Sequence, residues 1–377
     1  MTAWSHALSL TGEQALRGER ALARVAVTRL LQDGALQVLS ALGRAADAVA
    51  APGRVPVREP LFVVAPPRSG TSLLFDLLER DPRNVTPPLY QTLVPSVTLA
   101  RAVRAVSRVD RALGGRATQR WAGFQELFFA DYDAVHRTRF DEAEEDTLTF
   151  ARTLSCPSVT YTFPFPAHLR QTWSLDDRPQ AEQERVMAGY RRIVEAHLTA
   201  AGVTQPRFLM KNVFSAGRLG ALKRTFPDAR FVHVARHPYD VIPSTAQMLM
   251  QSYRIGLPDG VSPRPARDRL CWRPVGEIVI DHLKRLLRHQ EASAPGCWVT
   301  HDFRELVVDP VGQVERVYEG FGWSMGEAHR ASLRQAAARK DTFRSAARRP
   351  TLADFGWTPE QVFSAMPEVF EAWGFRA

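Results

Sequence analysis

Five consecutive residues, Arg68, Ser69, Gly70, Thr71 and Ser72, combine a guanidinium, three hydroxyls and a glycine. That mixture suits an anion. Just before it run Leu61, Phe62, Val63, Val64 and Ala65, and after it Leu73, Leu74, Leu77 and Leu78 recur at helical spacing. The first stretch reads as a buried strand and the second as a helix. A strand, a tight loop and a helix N-terminus together point backbone N–H groups at a phosphate. ATP-binding loops of this kind follow Gly-x-x-x-x-Gly-Lys-Ser/Thr. Here Ala65 holds the first glycine position and Thr71 the lysine position, while the positive charge sits earlier, at Arg68. The segment is a phosphate cradle without the lysine of a kinase.

Two more strand ends carry charge. Phe208, Leu209 and Met210 lead to Lys211 and Asn212, and residues 231–235 lead to Arg236 and His237. Ligands of open parallel sheets bind beyond the carboxyl ends of the strands. If the three strands are neighbours, Arg68, Arg236 and Lys211 converge on one crevice.

The elements that must position these residues can be followed along the chain. Residues 1–50, rich in Ala, Leu and Arg, read as a helical arm. Leu22, Val25 and Ala26 share one face, as do Leu36, Leu39 and Leu42. Packing on the body is preferred to a membrane-surface role, because the apolar face is mostly Ala and Val. Pro52, Gly53, Pro56 and Pro60 mark a linker. Residues 90–205 have weak strand signal and read as a largely helical insertion, clearest at 186–199. Further helices are expected at 216–225, 241–250, 311–321 and 328–340, and a strand at 298–300. Strands alternating with helices imply a parallel sheet covered on both faces. The expectation is an α/β fold with a P-loop-type parallel sheet flanked by helices. A helical N-terminal arm and linker span 1–58, and one domain spans 59–377.

Composition narrows the partners. The net charge of +9 favours anions without naming one. The four lysines are Lys211, Lys223, Lys284 and Lys340, so a lysine beside a motif is informative. No Lys/Arg run with interleaved aromatics is present, which argues against nucleic acid. Cys156, Cys271 and Cys297 have neither metal spacing nor a disulfide framework, so a reducing, cytoplasmic setting is expected, with no metal. Glu13, Arg17, Glu19 and Arg20 interrupt the first residues, and no secretory signal is expected. No apolar stretch is long enough to span a bilayer.

Taken together, the two loops resemble those of sulfotransferases that use 3′-phosphoadenosine 5′-phosphosulfate (PAPS), most of all the bacterial branch related to tyrosylprotein sulfotransferases. Residues 67–72 (PRSGTS) are similar to that family's 5′-phosphosulfate loop. Residues 231–244 (FVHVARHPYDVIPS) are similar to its 3′-phosphate site. There an Arg at the strand end and a Ser eight residues on hold the 3′-phosphate, and Arg236 and Ser244 fall on those positions. The likeness extends over 209–226 and, more weakly, to Glu145 and Asp146, to 301–310 and to 352–356. Residues 1–55 match nothing in the family. The resemblance implies PAPS as co-substrate, 3′-phosphoadenosine 5′-phosphate as product, and no metal. Arg68, Ser69, Gly70, Thr71 and Ser72 would cradle the 5′-phosphate, and Arg236 and Ser244 the 3′-phosphate.

The same resemblance implies a catalytic set of Lys211, Glu145, Asp146 and Ser244. Lys211 corresponds to a strand-end lysine that meets the departing group; the alternative is a surface lysine. Where the tyrosylprotein branch has a basic Glu after the first motif, this chain has Tyr90 and Gln91, and an amide does not accept a proton at neutral pH. The acidic run 141–146 is the nearest substitute, with Glu145 or Asp146 as base or acceptor-positioning group; a solvated helix N-terminus is the alternative. Ser215 stands where some bacterial relatives carry a His. His136, His168 and His237 are weaker candidates, His237 lining the nucleotide site or capping a turn. Trp121, Phe124, Phe128, Phe129, Phe150, Tyr161, Phe163, Phe165 and Trp173 either line an acceptor pocket or fill core, core taking the larger share.

The function expected is sulfuryl transfer from PAPS to a hydroxyl of a small molecule, glycan or natural product by in-line displacement. The alternatives are a non-catalytic nucleotide-binding protein of the same fold and a P-loop small-molecule kinase, the latter disfavoured by Thr71. The acceptor, the base, the role of 1–58 and the oligomeric state stay open.

Overall fold

A computed structural model describes residues 20–50, 53–133, 137–161, 163, 166–255, 267–339 and 349–377. Residues 1–19, Pro52, His136, Phe165 and Lys340 lie outside the described residues, as do the side chains of Leu22, Val25, Ala26 and Tyr161.

The strands are β1 Leu61–Val64, β2 Asn84–Val85, β3 Arg207–Asn212, β4 Arg230–Ala235 and β5 Trp298–Asp302, all parallel, in the order β2-β3-β1-β4-β5. β1 lies between β3 and β4. Val63 pairs with Lys211, and Val64 with both Asn212 and His233. The three charged strand ends are therefore neighbours. All four β1 residues are buried, as a parallel strand covered on both faces requires. Side-chain alternation divides them between two cores. Leu61, Val63, Leu209, Val232 and Val234 face one; Phe62, Val64, Phe208, Met210 and Phe231 face the other.

In chain order the helices that frame the site are α1 Arg20–Ala50, α2 Thr71–Leu78, α3 Val97–Ala112, α4 Arg116–Phe128, α5 Thr147–Arg152, α6 Gln180–Ala201, α7 Leu219–Thr225, α8 Pro238–Ile255, α9 Pro274–Glu291, α10 Phe303–Val308, α11 Pro310–Gly320 and α12 Glu327–Arg339. Leu74 and Leu77 of α2, Val314 and Val317 of α11 and Leu333 of α12 close the first core. Helices α6 to α9 close the second. Across that second face, rings from four strands stack edge to face or face to face: Phe208 and Phe62 at 6.2 Å, Phe62 and Phe231 at 5.6 Å, Phe231 and Trp298 at 5.7 Å.

Several elements differ from the sequence expectation, among them α10 and the C-terminal helices Pro359–Ala365 and Pro367–Ala372, which were not expected. β2 has two residues, too few for an alternating pattern to register. Helix α8 begins at Pro238, not near 241; a first-turn proline lacks an N–H that would have no partner there. Helix α9 was not anticipated, although Val275, Ile278, Val279, Leu283 and Leu286 recur at helical spacing and are buried.

Within the insertion, α3 and α4 form a hairpin, and α6 returns to the sheet. Helix α1 is fastened to α3 through Asp47. Its carboxylate accepts from the Val97 and Thr98 amides at 2.9 and 2.8 Å and from Ser96 Oγ at 2.9 Å. Asp47 thus occupies the orphan donors at the head of α3.

Candidate active site

The loop between β1 and α2 turns through two left-handed residues, Arg68 at φ 66° and Gly70 at φ 86°. For a non-glycine residue this backbone costs about 1–2 kcal/mol, so Arg68 needs compensating contacts. It has them. Its Nε donates to Ser244 Oγ at 3.3 Å, and its carbonyl accepts from the Arg236 guanidinium. Thr245 Oγ1 donates to the Pro67 carbonyl at 3.3 Å. These bonds stitch the loop to the start of α8. Gly70 answers a second demand. A Cβ there would lie 2.7 Å from Phe303 Cδ2, so only glycine lets the loop pass under that ring.

Arg236 leaves β4 and meets the same ring, its guanidinium carbon 4.4 Å from the Phe303 centroid. Asp240, one turn into α8, lies 3.6 Å from it. Burial pushes the Arg236 pKa down, and Asp240 opposes that shift. Arg236 Nε is buried without a hydrogen-bond partner, and so is the hydroxyl of fully buried Ser69. Buried donors without partners are uncommon. Phosphate groups fit them: their oxygens accept from guanidinium and hydroxyl alike.

On the β3 side, Lys211 shares its face with Leu209 and so emerges toward α2. It is 6% exposed. Its ammonium donates to Ser72 Oγ at 3.0 Å and lies 3.3 Å from Glu145 Oε1. The other carboxylate oxygen, Oε2, accepts from Thr147 Oγ1 at 2.9 Å. The structure thus brings the loop, the lysine and one carboxylate into a single chain of contacts.

Asp146, the neighbouring candidate, points elsewhere. Its carboxylate is buried and takes hydrogen bonds from Tyr190 and Asn212, with Arg218 at 3.5 Å. Burial pushes its pKa up, against the pull of Arg218, Tyr190 and Asn212. Its place is inside the wall that supports Lys211, not beside the loop. Gln91 bonds His197 through its side-chain oxygen. Ser215 donates to the Asn212 carbonyl at 2.8 Å. His237 accepts from the Tyr239 amide at 3.3 Å, and its other nitrogen lies 3.0 Å from the Arg376 carbonyl, which makes it a cap between α8 and the C-terminal segment. His168 is exposed. Among the aromatics, Phe129, Phe150, Phe163 and Trp173 are buried, while Trp121, Phe124 and Phe128 are exposed.

Phe303 and Thr245 were missed by sequence reasoning. Phe303 follows β5 directly, so the rule that ligands gather beyond carboxyl ends of strands pointed at it. Thr245 follows Ser244 and gave no separate signal.

The arrangement offers backbone amides, hydroxyls and two guanidiniums to a ligand that carries phosphates. Residues 60–327 match the model of the sulfotransferase family, and the chain belongs to that family. Two curated relatives, both named Omega-hydroxy-beta-dihydromenaquinone-9 sulfotransferase Stf3, come from Mycobacterium bovis and Mycobacterium tuberculosis. Each is 27% identical over 283 residues, which is 74% of this chain and 66% of the relative's own length. Two solved structures share the fold. Sulfotransferase STF9 from Mycobacterium avium superposes with a TM-score of 0.67 at 19% identity, over 95% of this chain and 86% of that one. Sulfotransferase STF1 from Mycobacterium tuberculosis H37Rv gives 0.60 at 19% identity, over 83% and 78%.

Proposed function

We propose that this protein transfers a sulfuryl group from PAPS to the hydroxyl of a small-molecule acceptor. The observation that carries the proposal is the division of charge around one helix N-terminus. Arg68, Arg236 and Ser244 stand on the β4 side of the loop, and Lys211 with Glu145 on the β3 side. The first group suits the 3′-phosphate. Amides of Ser69, Gly70, Thr71 and Ser72, with the Ser69 hydroxyl, suit the 5′-phosphate. Sulfuryl transfer resembles phosphoryl transfer in its loose in-line transition state, so the protein's task is positioning and charge stabilisation. Lys211 supplies a cation beside Ser72, where negative charge grows on the departing phosphate. Glu145 is the proposed base for the acceptor hydroxyl, in preference to Asp146, whose oxygens are engaged inside the wall. The names of the Stf3 relatives make a hydroxylated isoprenoid the first acceptor class to try.

Calorimetry with 3′-phosphoadenosine 5′-phosphate tests the donor half. Arg236→Ala should weaken binding about tenfold to a hundredfold, the worth of a charge-assisted hydrogen bond. An unchanged affinity would remove Arg236 from the nucleotide site. Sulfate transfer from labelled PAPS to a hydroxylated isoprenoid panel tests the acceptor half. Tight bisphosphate binding with no turnover on any hydroxyl would favour a non-catalytic nucleotide-binding protein.

A further inference from the structure

Helices α3 and α4 carry a second surface that the proposed chemistry does not use. On α3, Val103, Val106, Val109 and Leu113 recur every three or four residues, and all are exposed; Val106 is 65% exposed. This stripe faces away from the body, because Val97 and Ala100 pack on Ala196 and Ala200 of α6 from the other side. On α4, Trp121, Phe124, Leu127 and Phe128 do the same, Leu127 being 81% exposed. Their rings form a ladder: Trp121 and Phe124 stack at 5.3 Å, and Phe124 meets Phe128 at 5.6 Å. The two stripes meet at the hairpin tip, where a groove is lined by Asp110, Leu113, Arg116, Arg120, Trp121 and Phe124.

Contiguous exposed apolar surface of this kind marks an interaction site. Charge selects the occupant. Arg116 and Arg120 share the groove with the α4 stripe, whereas Arg101, Arg104, Arg108 and Arg111 lie on the side of α3 opposite its valines, Arg104 donating to the Ala200 carbonyl of α6. Two copies of this chain meeting through this groove would set the Arg116–Arg120 pair against its like. An anionic bilayer surface instead takes the apolar stripes into its acyl boundary and the guanidiniums among its headgroups. No helix among the described residues is long and apolar enough to cross a membrane, so contact would be at the interface. We infer that the α3–α4 hairpin docks this protein on an anionic lipid surface. The hairpin is tied to the site: Gln125 Nε2 donates to Asp141 at 2.9 Å, and Gln125 Oε1 accepts from the Phe140 amide at 2.6 Å, on the segment that runs into Glu145.

The inference does not depend on the donor or acceptor proposed above, because docking is read without turnover. Full-length protein is floated with phosphatidylglycerol-rich vesicles and with phosphatidylcholine vesicles, at low and high salt. The parent chain should float with the anionic vesicles, and less so at high salt. Val106→Asp combined with Leu127→Asp should cut vesicle binding about tenfold or more, since each removes a large apolar group from the contact. Arg116→Ala with Arg120→Ala should weaken binding to anionic vesicles and flatten the salt dependence. Circular dichroism and bisphosphate affinity report whether each variant is folded. A parent chain that stays with the soluble fraction would overturn the inference, as would aspartate variants that float normally. So would light scattering that shows a dimer dispersed by the same aspartates, which would assign the face to a second copy.

Discussion

The two sides of the β1 loop are built in different ways. On the donor side the contacts come from sheet-borne elements: residues 67–72 form one turn after β1, Arg236, Ser244 and Thr245 follow β4, and Phe303 follows β5. On the acceptor side, Lys211 meets Glu145, a carboxylate that no strand or helix carries. Glu145 sits at the end of an irregular segment, pinned by distant backbone. The Glu142 and Phe140 carbonyls accept from the Leu89 and Tyr90 amides at 3.0 and 2.9 Å, and the Glu144 amide donates to Pro87 at 3.1 Å. The proposed donor cradle is thus a property of the sheet, while the proposed base is a property of the insertion. Such a division lets acceptor choice change without disturbing the nucleotide site.

Kinetics can break that comparison most directly. Glu145→Gln should lower kcat by about 10²–10⁴-fold, the usual worth of a general base. Its affinity for the bisphosphate should be close to the parent's. Lys211→Ala should lower kcat by about 10²–10³-fold, again with the nucleotide largely retained. If either substitution weakened nucleotide binding as strongly as it slowed turnover, the two sides would not be separable. A normal turnover in Lys211→Ala would take that lysine out of the mechanism.

The same division explains what could be read from the sequence. The strands β1, β3 and β4 announce themselves as apolar runs, and the loops that follow them hold Arg68, Lys211 and Arg236 in plain view. Their adjacency rests on the strand order, which hydrophobic pattern does not encode. Glu145 and Asp146 could not be told apart. Adjacent residues point in different directions, and only Tyr190, Asn212 and Arg218, from three other elements, show which carboxylate is taken. Phe303 was hidden for a similar reason: its partners, Gly70 and Arg236, come from two distant stretches.

Gly70→Ala probes the donor side by shape. The substitution imposes a left-handed alanine and sets its Cβ against Phe303. It should destabilise the fold by about 1–3 kcal/mol and reduce bisphosphate affinity, because Phe303 also supports Arg236. Adding Phe303→Ala should recover part of the stability lost to overlap, and none of the affinity lost with the ring. Recovery of both would mean that Phe303 is an obstacle and not a support.

The smallest expected effect compares the two sides by pH. One buried imidazole from each serves: His197 on α6, beside Gln91 and Phe208, and His233 on β4, between Trp298 and Trp373. Burial lowers the pKa of each to about 3, from 6.5. A lowered folded-state pKa means that the unfolded chain binds the proton first. The stability that each neutral imidazole supplies is therefore complete above pH 6.5 and lost as pH falls toward 3. At pH 5.5 the loss is about 1.4 kcal/mol per histidine. His282 and His289, each lowered to about 4, add to the parent's slope. The raised carboxyls of Asp146 and Asp176 oppose it. The readout is accordingly the difference between variant and parent. Urea unfolding at pH 7 and pH 5.5 should show His197→Gln and His233→Phe each losing about 1.3 kcal/mol less than the parent over that interval. Equal effects would mean that both sides unfold together. An effect from His233→Phe alone would show the insertion opening before the sheet does, and a full parental slope in both variants would remove these histidines from the acid response.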